Sequence, residues 1–334
     1  MADKLMRIAP TQPELGTNLP GDQAERLIHF AHLAPSTHNS QPWKFGANGR
    51  VIDLFADFSR WLQAADPERR ELYLSVGCAL ETLLIAGDYE GLGVDLRYFP
   101  TPSDEAHVCR AEFSAQVARR ENSAARLLLA APKRHTSHRL FDKARQVAEH
   151  DLQLLSETAD GEDVAFHLLR AETERSELSA LLSDVESELF RDKAYRADLV
   201  RWVGSGAGAQ DWLKAKFVQY KVEHAAPAKL AQTDAALLAS APVVAVLSTA
   251  RQDRHHWVLA GQAYARAVLF AETHGLRSQP FSAFTANERA RTAVARIANL
   301  GERHPQLVIR LGSAEPESSR APRRALHDVM VKAS

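Results

Sequence analysis

The stretch APSTHNSQPWKF, residues 34–45, carries more structural information than any other part of the sequence. A capping-box pattern at Asp22 predicts an amphipathic helix just before it. That helix must end at Pro35, because the residue before a proline avoids the helical region, and Pro42 fixes the far end of the loop. The sequence therefore predicts a rigid, polar loop between this helix and a pair of strands over residues 43–57.

The composition predicts a globular protein with a sizeable core. Of 334 residues, 45% are hydrophobic and 25% charged, and the net charge of −1 argues against a general affinity for nucleic acid or an anionic membrane. The longest apolar run, residues 235–250, is interrupted by Ser240 and Pro242 and is shorter than the roughly 20 residues that span a bilayer. Cys78 and Cys109 are expected to be core thiols, and no secretion signal is recognisable, so the expected location is cytoplasmic.

Two long buried helices are predicted at residues 69–91 and 257–275. They contain similar stretches that begin at Gly77 (GCALETLLIAGDYEGLG) and at Gly261 (GQAYARAVLFAETHGLR). Each reaches a glycine, Gly91 or Gly275, that is typical of a helix C-terminus. Both pairs of glycines have the same offset in sequence position (261 − 77 = 184; 275 − 91 = 184). Two unrelated core helices could share these features, because alanine and glycine are common in such helices. The constant offset favours the other interpretation, an internal duplication.

The first helices of the two predicted copies have a smaller offset, from Glu25 to Glu149 (149 − 25 = 124). The second copy would therefore carry an insertion that accounts for the difference (184 − 124 = 60), placed between residues 175 and 240. That region has the pattern of charged helices and is broken by the glycine-rich residues 204–209. An insertion with such a break is expected of a lid with a hinge.

Two basic stretches, KRHTSHR at 133–139 and RAPRR at 320–324, stand out in a chain of almost neutral charge. Arginines, hydroxyls and free backbone N–H groups near a helix start are typical of a phosphate site. Each stretch alone could be a solvated surface, but together they predict a specific anion site. No spacing of Cys, His and carboxylate residues predicts a metal, and His255 and His256 are expected on the surface, because neighbouring helical residues point in different directions.

These motifs, in this order, resemble those of the FMN-dependent nitroreductase superfamily, and of its fused Acg-type branch in particular. The loop at 34–45 is similar to the family's signature after its first helix, and KRHTSHRLFD at 133–142 to its FMN-phosphate motif. RAPRRALHD at 320–328 is similar to its C-terminal arginine motif, and GLRSQPFSAF at 275–284 stands where its backbone passes the flavin ring. The resemblance implies an α+β, nitroreductase-like fold made of two fused copies that form an intramolecular pseudo-dimer.

The order of the motifs implies how the two copies share one site. Ordinary family members are homodimers in which one subunit supplies the phosphate motif and the other supplies the polar loop. Here the first half has the loop and the second half has the phosphate motifs, so the resemblance implies one FMN site per chain and a monomer. The implied division is an N-terminal extension at 1–20, a first half at 21–125 and a second half at 126–334, with a lid-like insertion at about 185–235.

The resemblance also implies which residues bind FMN: the polar loop, the phosphate motif with one of two C-terminal arginines, and the strand beside the ring. These residues are Pro35, Ser36, Thr37, Asn39, Arg134, His135, Thr136, His138, Arg139, Pro280, Phe281, Ser282, Arg323 and Arg324. His138 stands where the family has Lys or Arg, and Arg139 is the alternative source of that charge. Gln41, Pro42 and Trp43 are expected to pack the loop.

The function implied is NAD(P)H-dependent, ping-pong reduction of a nitroaromatic, quinone or similar small-molecule acceptor on the FMN. No side chain is required as a nucleophile, because the cofactor supplies the chemistry. The alternative is an FMN-sequestering protein whose closed lid allows little or no turnover. Neither nucleic acid nor a membrane is an expected partner.

Overall fold

The computed structural model describes residues 23–115, 123–202, 212–315 and 321–331. The predicted N-terminal extension and the glycine-rich residues 204–209 lie outside these ranges. The helices are α1 (Gln23–Ala31), α2 (Arg70–Tyr89), α3 (Ser123–Ala130), α4 (Glu149–Ala159), α5 (Glu172–Leu189), α6 (Lys193–Trp202), α7 (Trp212–His224), α8 (Pro227–Ala239), α9 (Arg254–Thr273), α10 (Glu288–Ile297) and α11 (Leu326–Val329). The strands are β1 (Trp43–Asn48), β2 (Val51–Ala56), β3 (Leu92–Tyr98), β4 (His107–Ala115), β5 (Val164–Leu169), β6 (Val243–Thr249), β7 (Arg277–Phe281), β8 (His304–Gly312) and β9 (Met330–Val331).

The strands form two sheets in which the same connections recur. The first sheet has the order β3-β4-β2-β1-β9, and the second has the order β5-β6-β8-β7. In each, the first strand pairs with the second, the second with the fourth and the fourth with the third, all antiparallel. A long helix, α2 or α9, connects the second strand to the third in both sheets. The predicted α+β class is confirmed, and it is built from two units of one topology.

The end of the chain returns to the first sheet. The strand β9 pairs in parallel with β1, where Phe45 lies opposite Met330. The strand β8 is therefore not the last in the chain, because the short strand β9 follows it. The C-terminal segment is too short and too charged to show a strand pattern, and it is ordered by tertiary contacts with the first half.

The two long helices cross at their glycines. A Cβ atom added to Gly77 would lie 2.1 Å from the carbonyl oxygen of Val258, and one added to Gly261 would lie 1.9 Å from that of Leu74. Leu74 and Val258 have the same offset as the glycines (258 − 74 = 184), so the contact is reciprocal. Although α2 is long and apolar enough to cross a membrane, most of it is buried in this crossing. Backbone-to-backbone packing here requires glycine on both helices.

The core has two main parts. The larger part packs α2 and α9 between the two sheets, and its members include Trp43, Phe45, Leu80 and Val258. The smaller part lies on the other face of the second sheet, under α5, α8 and α10. The strand β6 is consequently buried at every position.

Four helices, α5 to α8, follow β5 and precede β6, which places them in the stretch where the sequence predicts additional residues. Helices α5 and α8 pack over the second sheet. Helix α6 packs against the turn at Thr37–Asn39 of the first half. The insertion therefore reaches across from one half of the molecule to the other.

Candidate functional site

The predicted polar loop is held in one conformation by its own hydrogen bonds. A 3-10 turn spans Thr37–Asn39, and His38, Asn39 and Gln41 have φ angles of 48°, 56° and 50°. The Gln41 N–H donates to Ser36 Oγ at 3.0 Å, and the Gln41 side-chain amide donates to the Asn39 carbonyl at 3.1 Å. Each left-handed residue costs on the order of 1 kcal/mol, and such strain is concentrated at functional sites. The loop conformation is thus a reason to look for a ligand here.

The C-terminal arginine segment binds directly to this loop. The Asn39 amide donates to the Pro322 carbonyl at 2.8 Å. In return, Arg323 Nη1 donates to Asn39 Oδ1 at 2.6 Å, and Arg323 Nη2 donates to the Leu33 carbonyl at 2.8 Å. Two motifs that lie at opposite ends of the sequence are therefore joined in one place.

The two candidate arginines of this segment have different surroundings. Arg324 donates to the Gln41 carbonyl at 3.0 Å and lies 3.6 Å from Asp57 Oδ2, so its charge is already balanced. Burial lowers the pKa of Arg323 to about 9, and the positive charge of nearby Arg134 contributes to this shift. Of the two alternatives, Arg323 is the one that shares its electrostatic environment with the phosphate motif.

The phosphate motif presents buried donors without acceptors. Solvent reaches part of the Arg134 side chain. Protein nevertheless surrounds most of it, and this burial lowers the pKa of Arg134. A side chain that is deep in the molecule and still reached by solvent lines a cleft. Arg134 Nε and His135 Nε2 are buried and have no hydrogen-bond partner among the described residues. An unpaired buried donor costs about 1–3 kcal/mol, and a bound anion would satisfy both.

The local structure of this motif differs from the prediction. The stretch follows α3 instead of preceding a helix, and the Arg134 N–H donates to the Ala130 carbonyl at 2.8 Å. Thr136 then forms a parallel bridge with Ser278, and the Ser137 N–H donates to the Ser278 carbonyl at 3.1 Å. The predicted helix start was wrong, because the chain continues here beside β7. Side chains, not a helix N-terminus, provide the donors.

Arg310, which the sequence analysis missed, holds this segment in place. It is fully buried and donates to the carbonyls of Ser137 and Arg139 at 2.8 Å each and to Gln279 Oε1 at 2.8 Å. Its guanidinium also lies 4.0 Å from the Phe141 ring centroid. The available signal was a lone charge within the apolar run of β8, because a charge at such a position is retained only where acceptors surround it.

His138 and Arg139, the two alternative sources of the charge that the family has at position 138, lie at the edge of the cleft. The His138 ring is 3.4 Å from the Gln279 amide. It also faces Asp234 of α8, whose pKa is raised by burial and lowered in part by His138. Arg139 is exposed, and its backbone is held by Ser137 and Arg310. His138 thus faces the insertion, whereas the Arg139 side chain is at the surface.

Two predicted contact residues belong to the core. The Phe281 side chain is buried in the smaller core and packs edge-to-face on Phe284 at 6.4 Å. Neighbouring strand residues point to opposite faces, so the flanking Pro280 and Ser282 are the half-exposed ones. The Phe281 side chain is therefore part of the core, and only the backbone of this segment can lie along a ligand ring. Pro35 is likewise buried, where it packs the loop.

A carboxyl group that the sequence analysis did not select lies between two predicted walls of the cleft. Glu71, in the first turn of α2, faces the hydroxyls of Thr37 and Ser282, which both stabilise its charged form. Burial nevertheless raises the pKa of Glu71. Since Thr37 belongs to the first half and Ser282 to the second, Glu71 marks the floor where the halves meet.

The insertion closes the cleft from above the loop. Asp198 of α6 accepts hydrogen bonds from the backbone N–H groups of residues 64–65, at 2.7 and 3.2 Å. Arg60 stacks on the Trp202 ring, 4.4 Å from its centroid. His38 lies below this helix, where the surrounding protein lowers the pKa of its ring and Asp198 partly opposes that effect. The arrangement places the arginines at one end of the site and α6 beside the other.

Comparison with known proteins extends these observations. No protein-family model matches the chain. "Putative NAD(P)H nitroreductase acg" of Mycobacterium tuberculosis is 27% identical over 332 residues, which are 92% of this chain and 95% of that protein. A second "Putative NAD(P)H nitroreductase" of the same organism is 27% identical over 336 residues, 95% of this chain and 93% of that protein. The solved FMN-dependent nitroreductase of Mycobacterium smegmatis in complex with NADPH gives a TM-score of 0.44 at 18% identity and covers 64% of this chain and 99% of that one.

The chain is thus similar, along nearly its whole length, to proteins named as putative NAD(P)H nitroreductases. More narrowly, the similarity is to nitroreductases of the Acg type, and the resemblance indicated by the motifs is confirmed.

Proposed function

We propose that the cleft between the two halves binds one FMN and that the protein is an NAD(P)H-dependent oxidoreductase of the nitroreductase type. The observation that carries the proposal is the pair of unpartnered buried donors, Arg134 Nε and His135 Nε2. Arg134 lies close to Arg323, whose own contacts join it to the strained polar loop. Donors that have no neighbouring acceptor suit a dianionic phosphate.

The residues of the chain divide the binding between them. Arg134, His135 and Arg323 would hold the phosphate, and Thr136 and Asn39 would flank it from the second and the first half. Bound FMN would supply hydride acceptance from NAD(P)H and hydride donation to a nitroaromatic, quinone or similar acceptor. Because donor and acceptor would use the same cleft, they would bind in turn, which gives ping-pong kinetics.

The assembly implied by this proposal is an internal pseudo-dimer. The reciprocal glycine crossing of α2 and α9 supports it, because contacts related by one constant offset are expected of a two-fold interface between copies. With both halves on one chain, the site needs no second subunit, so we propose a monomer with one FMN. We also propose a cytoplasmic location, since Cys78 and Cys109 are free and buried.

A second candidate function is FMN sequestration with little turnover. The contacts of Asp198 and Trp202 with residues 60–65 of the first half favour it, because they would have to break before α6 could move away to admit a nicotinamide. The two candidates differ in one measurement. The purified protein is loaded with FMN, and NADPH or NADH is added under anaerobic conditions. Rapid bleaching of the flavin absorbance supports the oxidoreductase, and bound but unbleached flavin supports sequestration.

The phosphate seat is tested by Arg134→Ala. One hydrogen bond to a charged group is worth about 1.5–3 kcal/mol, so the affinity for FMN should fall about tenfold or more. The matched control is Arg97→Ala, because Arg97 is an exposed arginine on β3 in the first sheet. Affinity is measured by fluorescence quenching of FMN on titration. Equal affinities for the wild type and both variants would remove Arg134 from the site.

A further inference from the structure

Glu71 occupies a position in the cleft that the proposed binding roles leave unexplained. Its carboxyl lies between the hydroxyls of Thr37 and Ser282, one from each half. It is partly accessible to solvent, whereas the residues that follow it on α2 are buried. The proposed phosphate contacts of Arg134, His135 and Arg323 do not involve it. Glu71 is an acid on its floor.

The surroundings of Glu71 favour its protonated form. Asp66 lies close enough to interact with it, and the two buried carboxyls compete for charge. Asp66 Oδ2 accepts the Leu72 N–H at 2.9 Å at the start of α2, so the helix N-terminus stabilises the negative charge on Asp66. Burial raises the pKa of Glu71, and burial together with the charge of Glu71 raises the pKa of Asp66 to about 8, so the two neighbouring carboxyls are not both ionised at neutral pH.

Other groups facing Glu71 modify this balance without reversing it. Arg70 attracts its charged form, but the Arg70 guanidinium is turned towards the Thr285 and Gln306 carbonyls, at 3.4 and 3.3 Å. From the insertion, the phenol of Tyr195 on α6 also faces Glu71. It is buried and neutral, because burial raises its pKa far above the ordinary value. Neither group supplies a close counter-ion to Glu71.

A small cavity adjoins Glu71 and has room for about one water molecule. It is lined by Asp66, Arg70, Glu71 and Thr285, and at its outer edge by the half-exposed side chain of Glu68. A polar cavity of this kind holds water where two or more polar partners are available. A proton lost from Glu71 can therefore be replaced without opening the insertion.

The corresponding position in the other half has lost this chemistry. The constant offset relates Glu71 to His255 and Tyr98 to Ser282 (255 − 71 = 184; 282 − 98 = 184). The rings of His255 and Tyr98 are in contact, with centroids 4.7 Å apart. Where the cleft has an acid, a hydroxyl and open space, the related place is filled by two rings. His255 is also half-buried and His256 is buried, so the prediction that both lie on the surface was wrong.

We propose that Glu71 is the proton donor to the acceptor that is reduced in this cleft, an inference that rests on the proposed function. Reduction of a quinone to a hydroquinone requires two electrons and two protons, and a hydride supplies both electrons and one proton. The second proton comes from the Glu71 O–H bond, which breaks as the second quinone oxygen takes the proton. The Glu71 carboxylate then regains a proton from water in the adjoining cavity.

The test compares Glu71→Gln with Glu71→Asp, which keeps an acid at this position. The control is Glu288→Gln, which removes an exposed carboxyl that pairs with Arg291, another residue lining the cavity. Each FMN-loaded variant is reduced anaerobically by NADPH and then mixed with benzoquinone, and the reoxidation rate is followed from pH 5 to 9. General acid catalysis contributes about 10²–10⁴-fold, so Glu71→Gln should slow reoxidation by at least 100-fold. Glu71→Asp should restore part of the rate, and Glu288→Gln should match the wild type.

A second readout does not depend on activity. Infrared difference spectra of the FMN-loaded protein, recorded in H₂O and in D₂O at neutral pH, should contain a protonated-carboxyl band that Glu71→Gln removes. If all variants bind FMN and Glu71→Gln retains the band and the wild-type reoxidation rate, the role of Glu71 is overturned while the proposed function stands. If the wild type binds no FMN, the proposed function itself fails.

Discussion

Alanine at the crossing of α2 and α9 should weaken the fold measurably. In Gly77→Ala the new Cβ would lie 2.1 Å from the Val258 carbonyl oxygen, and in Gly261→Ala it would lie 1.9 Å from that of Leu74. An ordinary van der Waals contact begins at 3.4 Å, so either substitution forces the helices apart by more than an ångström. The opposing atoms are backbone, so no side-chain rotation can relieve the clash.

The magnitude follows from two opposing effects. Overpacking of a core costs about 1–3 kcal/mol, and the upper end applies because two long helices must separate. Alanine is better than glycine in a helix by roughly 1 kcal/mol, which offsets part of this cost. We therefore expect each substitution to lower the free energy of unfolding by about 2 kcal/mol. Because one separation relieves both clashes, the double variant should cost less than the sum of the two.

The assay is chemical denaturation followed by tryptophan fluorescence and by far-UV circular dichroism, with midpoints compared between variants. Gly161→Ala is the control, since no atom lies within 4 Å of its added Cβ. If both single variants change the free energy of unfolding by less than roughly 0.5 kcal/mol, the effect of an ordinary surface change, the reciprocal backbone contact is refuted. If the double variant lowers the free energy of unfolding by the full sum of the two single effects, one separation of the helices does not relieve both clashes.

Two further outcomes are expected. Trp43 Nε1 donates to His32 Nδ1 at 3.0 Å, so Nδ1 carries no proton, and His32 Nε2 donates to the Arg324 carbonyl at 2.9 Å. The His32 ring is therefore neutral in the folded protein, and burial lowers the pKa of His32 to about 4. This stabilisation is complete above about pH 6.5, and about 3 kcal/mol of it is lost as the pH falls from about 6.5 to 4. Denaturation midpoints of the wild type and of His32→Gln between pH 4 and 8 measure the loss. An equal dependence of the midpoint on pH in both proteins would contradict the prediction. Arg310→Met should cost about 3 kcal/mol or more and weaken FMN binding, since it leaves the Ser137 carbonyl and other buried acceptors unpaired; unchanged denaturation midpoint and FMN affinity would contradict its positioning role.

Local pattern was sufficient to predict much of this fold. The loop at 34–45, the helices α2 and α9 and their constant offset follow from prolines, glycines and apolar periodicity, which act over a few residues. The strand β3 was not predicted, because its exposed outer positions interrupt the alternation of polar and apolar residues. The predicted placement of residues 133–139 at the start of a helix was wrong for a related reason. The chain there is ordered by Arg310 on a distant strand, and no local pattern reports that contact.

The candidate site likewise has a part that local sequence predicts and a part that depends on distant contacts. The sequence indicated its cationic end, because Arg134, His135 and Arg323 occur in basic motifs. It could not choose between Arg323 and Arg324, since the choice depends on Asp57, which balances only Arg324. Glu71 was missed because a single acid in the first turn of a helix is an ordinary dipole-stabilising residue. Its role depends on Thr37 and Ser282, which are brought to it from both halves.

The two halves differ at three pairs of positions that the constant offset relates (254 − 70 = 184; 255 − 71 = 184; 282 − 98 = 184). Arg70 donates to backbone carbonyls beside one cleft, while its counterpart Arg254 stacks on the Phe99 ring, 4.3 Å from the centroid. The aromatic packing around Tyr98 and His255 adds stability to the fold without serving a ligand. The related places of the two halves therefore differ physically: aromatic rings fill one of them, whereas at the other Glu71 faces the hydroxyls of Thr37 and Ser282 and stays partly accessible to solvent.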